Sequence, residues 1–223
     1  MDQTPIRNAA TVILLRETSK GPQVLMGQRG AAAAFMPDKF VFPGGSVDTG
    51  DAAVPLAKPL SAACTSRLSD HSATDLATAL AAAAIRELWE EAGLLLGSPG
   101  AWSGVVPPDW QGFAATGHLP AANALRFVFR AITPPGNARR FDARFFLADA
   151  AALIGDPDDF SRASDELRHL QWVPLAETRS FDLPFVTEIV LAEVARRLPF
   201  DAAAGSVPFF DNSGPAPVFR RLA

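Results

Sequence analysis

Three glutamates, Glu87, Glu90 and Glu91, stand at helical offsets 0, +3 and +4 in the run Arg86-Glu87-Leu88-Trp89-Glu90-Glu91-Ala92-Gly93-Leu94. On an α-helix that spacing sets all three carboxylates on one face. Like charges so close repel one another, and a hard divalent cation such as Mg²⁺ relieves the repulsion with oxygen ligands. Upstream, Phe42-Pro43-Gly44-Gly45 forms a glycine-rich turn that can bring backbone close to a metal or a phosphate. The chemistry these residues suggest is metal-assisted reaction on phosphates. Taken by itself, Arg86 with Glu90 also reads as an ordinary i,i+4 ion pair on a solvated helix.

The elements that must hold these groups can be read from pattern. Ala9–Leu15 and Gln23–Arg29 are β-prone runs joined through Lys20-Gly21-Pro22, a hairpin signal. Ala31 to Ala34 reads as loop or weak helix. Phe40-Val41-Phe42 is a short strand that stops at the Pro43-Gly44-Gly45 turn. Residues Asp48 to Asp70 lack a clear period and read as an inserted loop with a turn or two of helix. The strongest helix spans Thr74 to Leu94, capped by Ser72 or Thr74 and ended at Gly93. Ser98 to Pro120, rich in Pro, Gly and Trp, reads as loop with a short helix at most. Further strands are expected at Leu125–Ile132, Arg144–Leu147 and His169–Val173. Phe185–Leu198 is an amphipathic helix with Phe185, Ile189 and Ala192 on one side. From about residue 201 the tail carries Gly, Ser and Pro and is expected to be loop-like. The sum is one mixed α/β domain over 1–223, with an insertion at about 52–78 and a largely antiparallel or mixed sheet.

Composition narrows the function class. The net charge of −4 comes without a dominant basic patch, which argues against nucleic acid as a partner. No apolar run approaches the roughly 20 residues of a membrane span. Met1 to Arg16 lacks the pattern of a secretory signal. The lone Cys64 suits a reducing compartment, and a cytoplasmic location is expected. His71, His118 and His169 have no zinc-type spacing.

The split pattern resembles the signature of the Nudix hydrolases. That signature reads Gly, five residues, Glu, seven residues, then Arg-Glu-aliphatic-x-Glu-Glu-x-Gly-aliphatic. Gly45 is the first glycine, and Asp51 stands where the family has its first Glu. Arg86 to Leu94 matches every specified position. Residues 52–85 fill a spacer that is usually seven residues long. The resemblance implies a Nudix-type α/β/α sandwich with a long insertion in the box. It implies Glu90 and Glu91 as main metal ligands, with Glu87 binding metal or positioning water and Gly45 offering its carbonyl. Arg86 would orient a glutamate, and the cofactor would be Mg²⁺ or Mn²⁺. The reaction would be hydrolysis of a nucleoside diphosphate linked to another group. Glu166, ahead of the strand ending near Trp172, sits where many members place a further acid, a metal ligand or base.

A second resemblance concerns the substrate. Family members that cleave coenzyme A carry a pattern that here reads Leu25-Met26-Gly27-Gln28-Arg29-Gly30, then Ala34, Asp38 and Phe42-Pro43-Gly44-Gly45. Ala34 replaces an arginine and Asp38 a glycine. The subfamily with a long box insertion, which includes peroxisomal coenzyme A diphosphatases, is similar over Gly30–Asp48 and Arg139–Phe146. These likenesses imply a coenzyme A-like small molecule as partner, with Arg29 and the Gly44 turn contacting phosphate. Arg139 and Arg140, read as an exposed pair after a Pro-Gly turn, are further phosphate candidates. Trp102 and Trp110 either stack on adenine or pack under their loop. Other substrates in view are ADP-ribose and NADH. A non-catalytic Nudix-fold binding module is the reading from a different class. The Phe185–Leu198 helix could serve a homodimer or pack on the core.

Overall fold

The computed structural model describes residues 4–33, 35–72, 76–198, 205–214 and 216–223. The expected positions Ala34, Thr74 and Asp201 lie outside them. In chain order the strands and helices are β1 (Ile6–Arg16), β2 (Gln23–Arg29), β3 (Phe40–Val41), β4 (Gly44–Ser46), α1 (Ala62–Ser69), α2 (Ala77–Ala92), β5 (Gly97–Pro99), α3 (Gln111–Ala114), β6 (His118–Pro120), β7 (Arg126–Ile132), β8 (Arg140–Asp149), β9 (Leu167–Pro174), α4 (Phe185–Arg196), β10 (Val207–Asp211) and β11 (Val218–Leu222).

Strand β1 shows why the chain layers as it does. Successive side chains of a strand point to opposite faces. Val12 and Leu14 pack in one core with Leu80, Ala81, Ala84 and Leu88 of α2. Ile13 and Leu15 pack in a second core with Val190, Leu191 and Val194 of α4. The result is helix, sheet, helix, the α/β/α class expected. The sheet is mixed, in the order β11-β10-β7-β8-β1-β2-β3, with β4 also pairing β1 and β9 pairing β2. β1 runs parallel to β8 from Ile6 opposite Arg140 to Leu15 opposite Asp149. β10 runs parallel to β7, and the remaining pairs are antiparallel.

Helix α2 is built for close approach to the sheet. Ala81, Ala82, Ala83 and Ala84 are all fully buried, so the helix backbone can sit near β1 with high helix propensity. It ends where Gly93 turns left-handed at φ 71°, its N–H bonded to Trp89 O. Its start differs from expectation. Leu76 occupies the cap position without a side-chain cap. Ser72 instead donates its hydroxyl to Leu68 O, at the end of α1.

Several expectations are corrected. The Pro43-Gly44-Gly45 turn continues as a strand, with Gly45 opposite Ala10 and Gly44 opposite Thr11. The 48–70 segment, by contrast, carries the turn or two of helix expected of it, a 3₁₀ turn at Asp51–Ala53 and helix α1, which Ser61 caps through Cys64 N–H. Cys64 is buried, and its Sγ accepts the Phe127 N–H at 3.4 Å. Ser98–Pro120 contains β5 and β6, paired as a small second sheet. The tail, expected to be loop-like, contains an antiparallel hairpin of β10 and β11 that extends the main sheet. On α4 the buried stripe is Thr187, Val190, Leu191 and Val194, while Phe185 is 68 % exposed. That stripe follows the i, i+3, i+4, i+7 rule from a start two residues later than the sequence reading placed it.

Candidate active site

The candidate site lies where α2 crosses β4. Glycine is required on the strand side. A Cβ on Gly44 would fall 2.6 Å from Ala10 O and 2.7 Å from Thr11 Cα. A Cβ on Gly45 would run into the Glu87 carboxylate. The bare backbone therefore lets helix and strand meet, and the Gly44 N–H donates to Glu91 Oε2 at 2.8 Å.

Arg86 organises the acids around itself. Its Nη1 donates to Glu87 Oε1 at 2.9 Å and to Glu90 Oε2 at 3.1 Å. Its Nη2 donates to Ser46 O at 2.9 Å and to Asp51 Oδ2 at 3.2 Å, while Nε donates to Asp51 Oδ1 at 3.2 Å. Asp48 stands 3.4 Å away. Asp51 is 1 % exposed and also accepts the Asp48 N–H, which closes the turn between strand and helix. Burial works against the Arg86 charge, but Asp51, Glu87 and Glu90 outweigh it and raise its pKa above the ordinary arginine value.

The carboxylates are held in a costly state. Burial pushes Glu87 up to about 7, with the neighbouring Glu90 and Glu166 charges adding and Arg86 opposing. Burial pushes Glu91 up to about 8, with Glu87 and Glu166 adding and the Gly44 N–H and Arg29 opposing. Burial also raises Glu90, against Arg86 and with Asp109 and Glu166. Oxygen donors that repel one another away from water are the donor set a hard divalent cation prefers. In chemistry the set fits such an ion. Among the described residues no group of three or more His, Cys, Asp or Glu stands together as a metal-holding cluster. Arg86 and the Gly44 N–H take up the oxygens instead.

The other sequence-derived residues distribute unevenly. Glu166 is exposed, directly ahead of β9, and its charge reaches all three box glutamates. Its loop is tied to α2 by Ser164 N–H bonded to Glu90 O at 2.9 Å. Arg29 ends β2 beside Leu167, its charge acts on Glu91, and its buried Nε has no hydrogen-bond partner. Arg139 is exposed, but Arg140 is not its exposed twin. Arg140 is buried, donating to Thr133 O at 3.0 Å and Asn212 O at 2.8 Å, because the C-terminal hairpin covers it. It opens β8 opposite Ile6, four residues along β1 from Ala10 beside Gly45, or about 13 Å. Trp110 is buried and Trp102 donates to His118 O, so both pack. The aromatic the sequence reading passed over is Trp89, half-buried in the middle of the acidic run.

Comparison with known proteins follows the same lines. A solved NUDIX hydrolase from Alicyclobacillus acidocaldarius is similar at 30% identity and a TM-score of 0.62, covering 86% of this chain and 93% of that one. The protein named nudix hydrolase 7 in Caenorhabditis elegans is 31% identical over 180 residues, 75% of this chain and 51% of its own. The chain thus spans about half the length of that curated relative. An Ap4A hydrolase from C. elegans shares the fold at 16% identity and a TM-score of 0.50, covering 88% of this chain and all of that one. No protein-family model matches the chain.

Proposed function

The chain belongs to the Nudix hydrolase family, and from that premise we propose that it hydrolyses the diphosphate bond of a nucleoside diphosphate linked to a second group, with coenzyme A or an acyl-coenzyme A as leading substrate. The observation that carries the catalytic half is the buried knot in which Arg86 holds Asp51, Glu87 and Glu90 against the glycine pair. In this reading Glu87, Glu90 and Glu91, with the Gly45 carbonyl, hold Mg²⁺ or Mn²⁺. When bound, the ion screens the charge of the diphosphate and serves as a Lewis acid. Arg86, fixed by Asp51, keeps Glu87 and Glu90 in one orientation through charge-assisted hydrogen bonds. Glu166 takes a proton from the attacking water. Arg29 and the Gly44 backbone bind phosphate oxygens.

Two observations favour the coenzyme A reading. Asp38 adopts φ 61°, the left-handed region glycine takes freely and aspartate tolerates. The coenzyme A-type pattern has glycine there, so backbone and pattern agree in register although the residue has changed. The unpartnered Nε of Arg29 gives that pattern's arginine a donor for a phosphate. Replacement of the pattern's second arginine by Ala34 favours a second reading, in which ADP-ribose or NADH is the substrate. The presence of all three closing glutamates, Glu87, Glu90 and Glu91, and of Arg86 weighs against a module without turnover. A small-molecule partner, a cytoplasmic setting for the buried free Cys64, and a homodimer contact at the exposed Phe185 belong to the same proposal.

The test is hydrolysis of coenzyme A, acetyl-coenzyme A, ADP-ribose and NADH with Mg²⁺ and with Mn²⁺, products identified by mass. Adenosine 3′,5′-bisphosphate and a phosphopantetheine fragment, formed with the highest kcat/KM, are the expected result. Turnover of ADP-ribose or NADH alone would discard the coenzyme A assignment.

A further inference from the structure

The left-handed turn at Gly93, φ 71°, is reason enough for a glycine at the end of α2. Its surroundings supply a second reason. A Cβ on Gly93 would lie 2.9 Å from Arg162 Cβ and 3.0 Å from both Ala163 N and Arg162 C. Two of those three atoms are backbone and cannot swing aside as a side-chain tip does. The other glycines with positive φ, Gly21, Gly104, Gly117, Gly136 and Gly155, have nothing within 4 Å of that position among the described residues. Gly93 therefore does more than turn the chain, because another stretch of backbone rests on it.

That stretch leads to Glu166. The last carbonyls of a helix have no partner within it. Here the Gly93 N–H takes Trp89 O, and the Ser164 N–H takes Glu90 O, each at 2.9 Å. Ser164 Oγ in turn accepts the Glu166 N–H at 3.4 Å. Glu166 follows Ser164 by two residues, so the chain carries it no more than about 7 Å from that attachment. Glu90 thus gives its carboxylate to the site and its carbonyl to the loop that brings Glu166. At its start the loop is attached to the exit of α2, Ile154 N–H to Leu95 O at 2.9 Å. Between the two attachments it borders a cavity of about 540 Å³, lined also by Trp89 and Gly112. Over that span it is held from elsewhere, by Arg16 to Asp158 at 2.8 Å and by Trp172 Nε1 to Pro157 O at 3.1 Å. The contact at 162–164 is where the loop meets α2 just ahead of Glu166.

We propose that Gly93 is a positioning residue for Glu166: its bare Cα seats the backbone of Arg162 and Ala163 on the end of α2, and that seat fixes where Glu166 stands relative to Glu87, Glu90 and Glu91. The inference rests on the reading of Glu166 as the group that takes the proton, and it adds what holds that group in place. Any Cβ at position 93 pushes the loop outward. A shift on the order of 1 Å, caused far from the chemistry, can cost about 10²-fold in rate. The turn and the seat are separable. Asparagine tolerates the left-handed conformation better than alanine does, yet it brings the same Cβ.

The experiment places Gly93→Ala and Gly93→Asn in the full chain, each alone and together with Glu166→Gln. It reads kcat and KM, Mn²⁺ affinity by calorimetry, and amide hydrogen exchange at Ser164 without metal. Both single variants are expected to lower kcat by about tenfold or more, with KM and Mn²⁺ affinity held. Exchange at Ser164 should quicken in both, because its bond to Glu90 O is opened. With Glu166→Gln already present, neither should lower kcat further, since the group they displace is gone. Three results overturn the inference. One is kcat restored by asparagine but not by alanine, which would leave Gly93 as a helix end alone. Another is an equal loss of kcat with and without Glu166→Gln. The third is unaltered exchange at Ser164. A Glu166→Gln protein with the kcat of wild type removes Glu166 as the base, and quickened exchange would then uphold the seat without that role.

Discussion

Arg86 grips Asp51 with two parallel hydrogen bonds, Nε to Oδ1 and Nη2 to Oδ2, each 3.2 Å long. The pair is buried and joins the turn after β4 to the middle of α2. One guanidinium then has Nη1 left for Glu87 and Glu90.

Removing Asp51 should therefore cost stability and activity together. Asp51→Ala leaves a buried arginine short of its main partner, a loss of about 3–5 kcal/mol by analogy with broken buried pairs. Arg86→Ala should cost a similar amount, and the double variant much less than the sum. Denaturant titration of the four proteins checks this. Additive losses would show that the two residues act independently.

Stability should depend on pH in an unusual direction. Glu87 rises from 4.5 in the unfolded chain to about 7 in the fold, and Glu91 from 4.5 to about 8. Below about pH 4.5 both states hold the protons, and this contribution is at its most favourable. Between 4.5 and 8 the unfolded chain releases protons that the fold retains, so stability falls as pH rises, then levels off. Each group contributes a slope on the order of 1 kcal/mol per pH unit. Unfolding in chelator from pH 4.5 to 9 should show the decline. Mg²⁺ should stabilise increasingly over the same range, because ligation needs the deprotonated acids. A chelated protein whose stability climbs from pH 5 to 8 contradicts the burial of these two carboxylates.

Glu90 is the most exposed of the three box glutamates, so its charge can be removed with little damage to the core. Glu90→Gln should lower kcat by at least ~10²-fold, the scale of losing one electrostatic contact to the transition state. The melting temperature should move little. Near-full metal-dependent turnover would sink the proposed ligand role.

Gly45→Ala tests the strand side of the site. Its methyl group would occupy the place of the Glu87 carboxylate, which must swing away. Activity should fall while β4 remains paired with β1, seen as lost turnover with an unchanged far-ultraviolet circular dichroism spectrum. Retained activity would mean that Glu87 is free to move without consequence.

Arg140 should behave as a strut. Arg140→Ala should lower stability by about 2–3 kcal/mol through the carbonyls of Thr133 and Asn212 left unpaired, with KM unchanged. A raised KM without destabilisation would return Arg140 to the substrate.

What the sequence made legible was local. The 0, +3, +4 spacing of Glu87, Glu90 and Glu91 is a property of one helix, and Gly93 marks its end through backbone conformation alone. The near-continuous apolar runs of β1 and β2 came from burial on both faces of the sheet. The burial of Arg140 was not legible, because its partner Asn212 lies 72 positions away and an arginine after Pro-Gly looks the same exposed or buried. β5, β6, β10 and β11 were missed because they are short, hold proline or lack alternation. Asp51 was visible as an acid at the right offset, but its hold on Arg86 depends on a fold across residues 52–85. Trp89 reads as one more helical hydrophobe until Gly112 is brought opposite it.

The parallel pairing of β1 with β8 also bears on how the protein is made. Residues 6–15 leave the ribosome well before residues 140–149, their neighbours across the sheet. At about 5–20 residues per second, the first strand waits roughly seven to thirty seconds for that partner. Through that interval the apolar side chains of Ile13 and Leu15 also lack α4, which is translated later still. The nascent chain thus carries its central strand half-covered for that interval, with an unpaired edge and apolar surface of the kind that invites premature association.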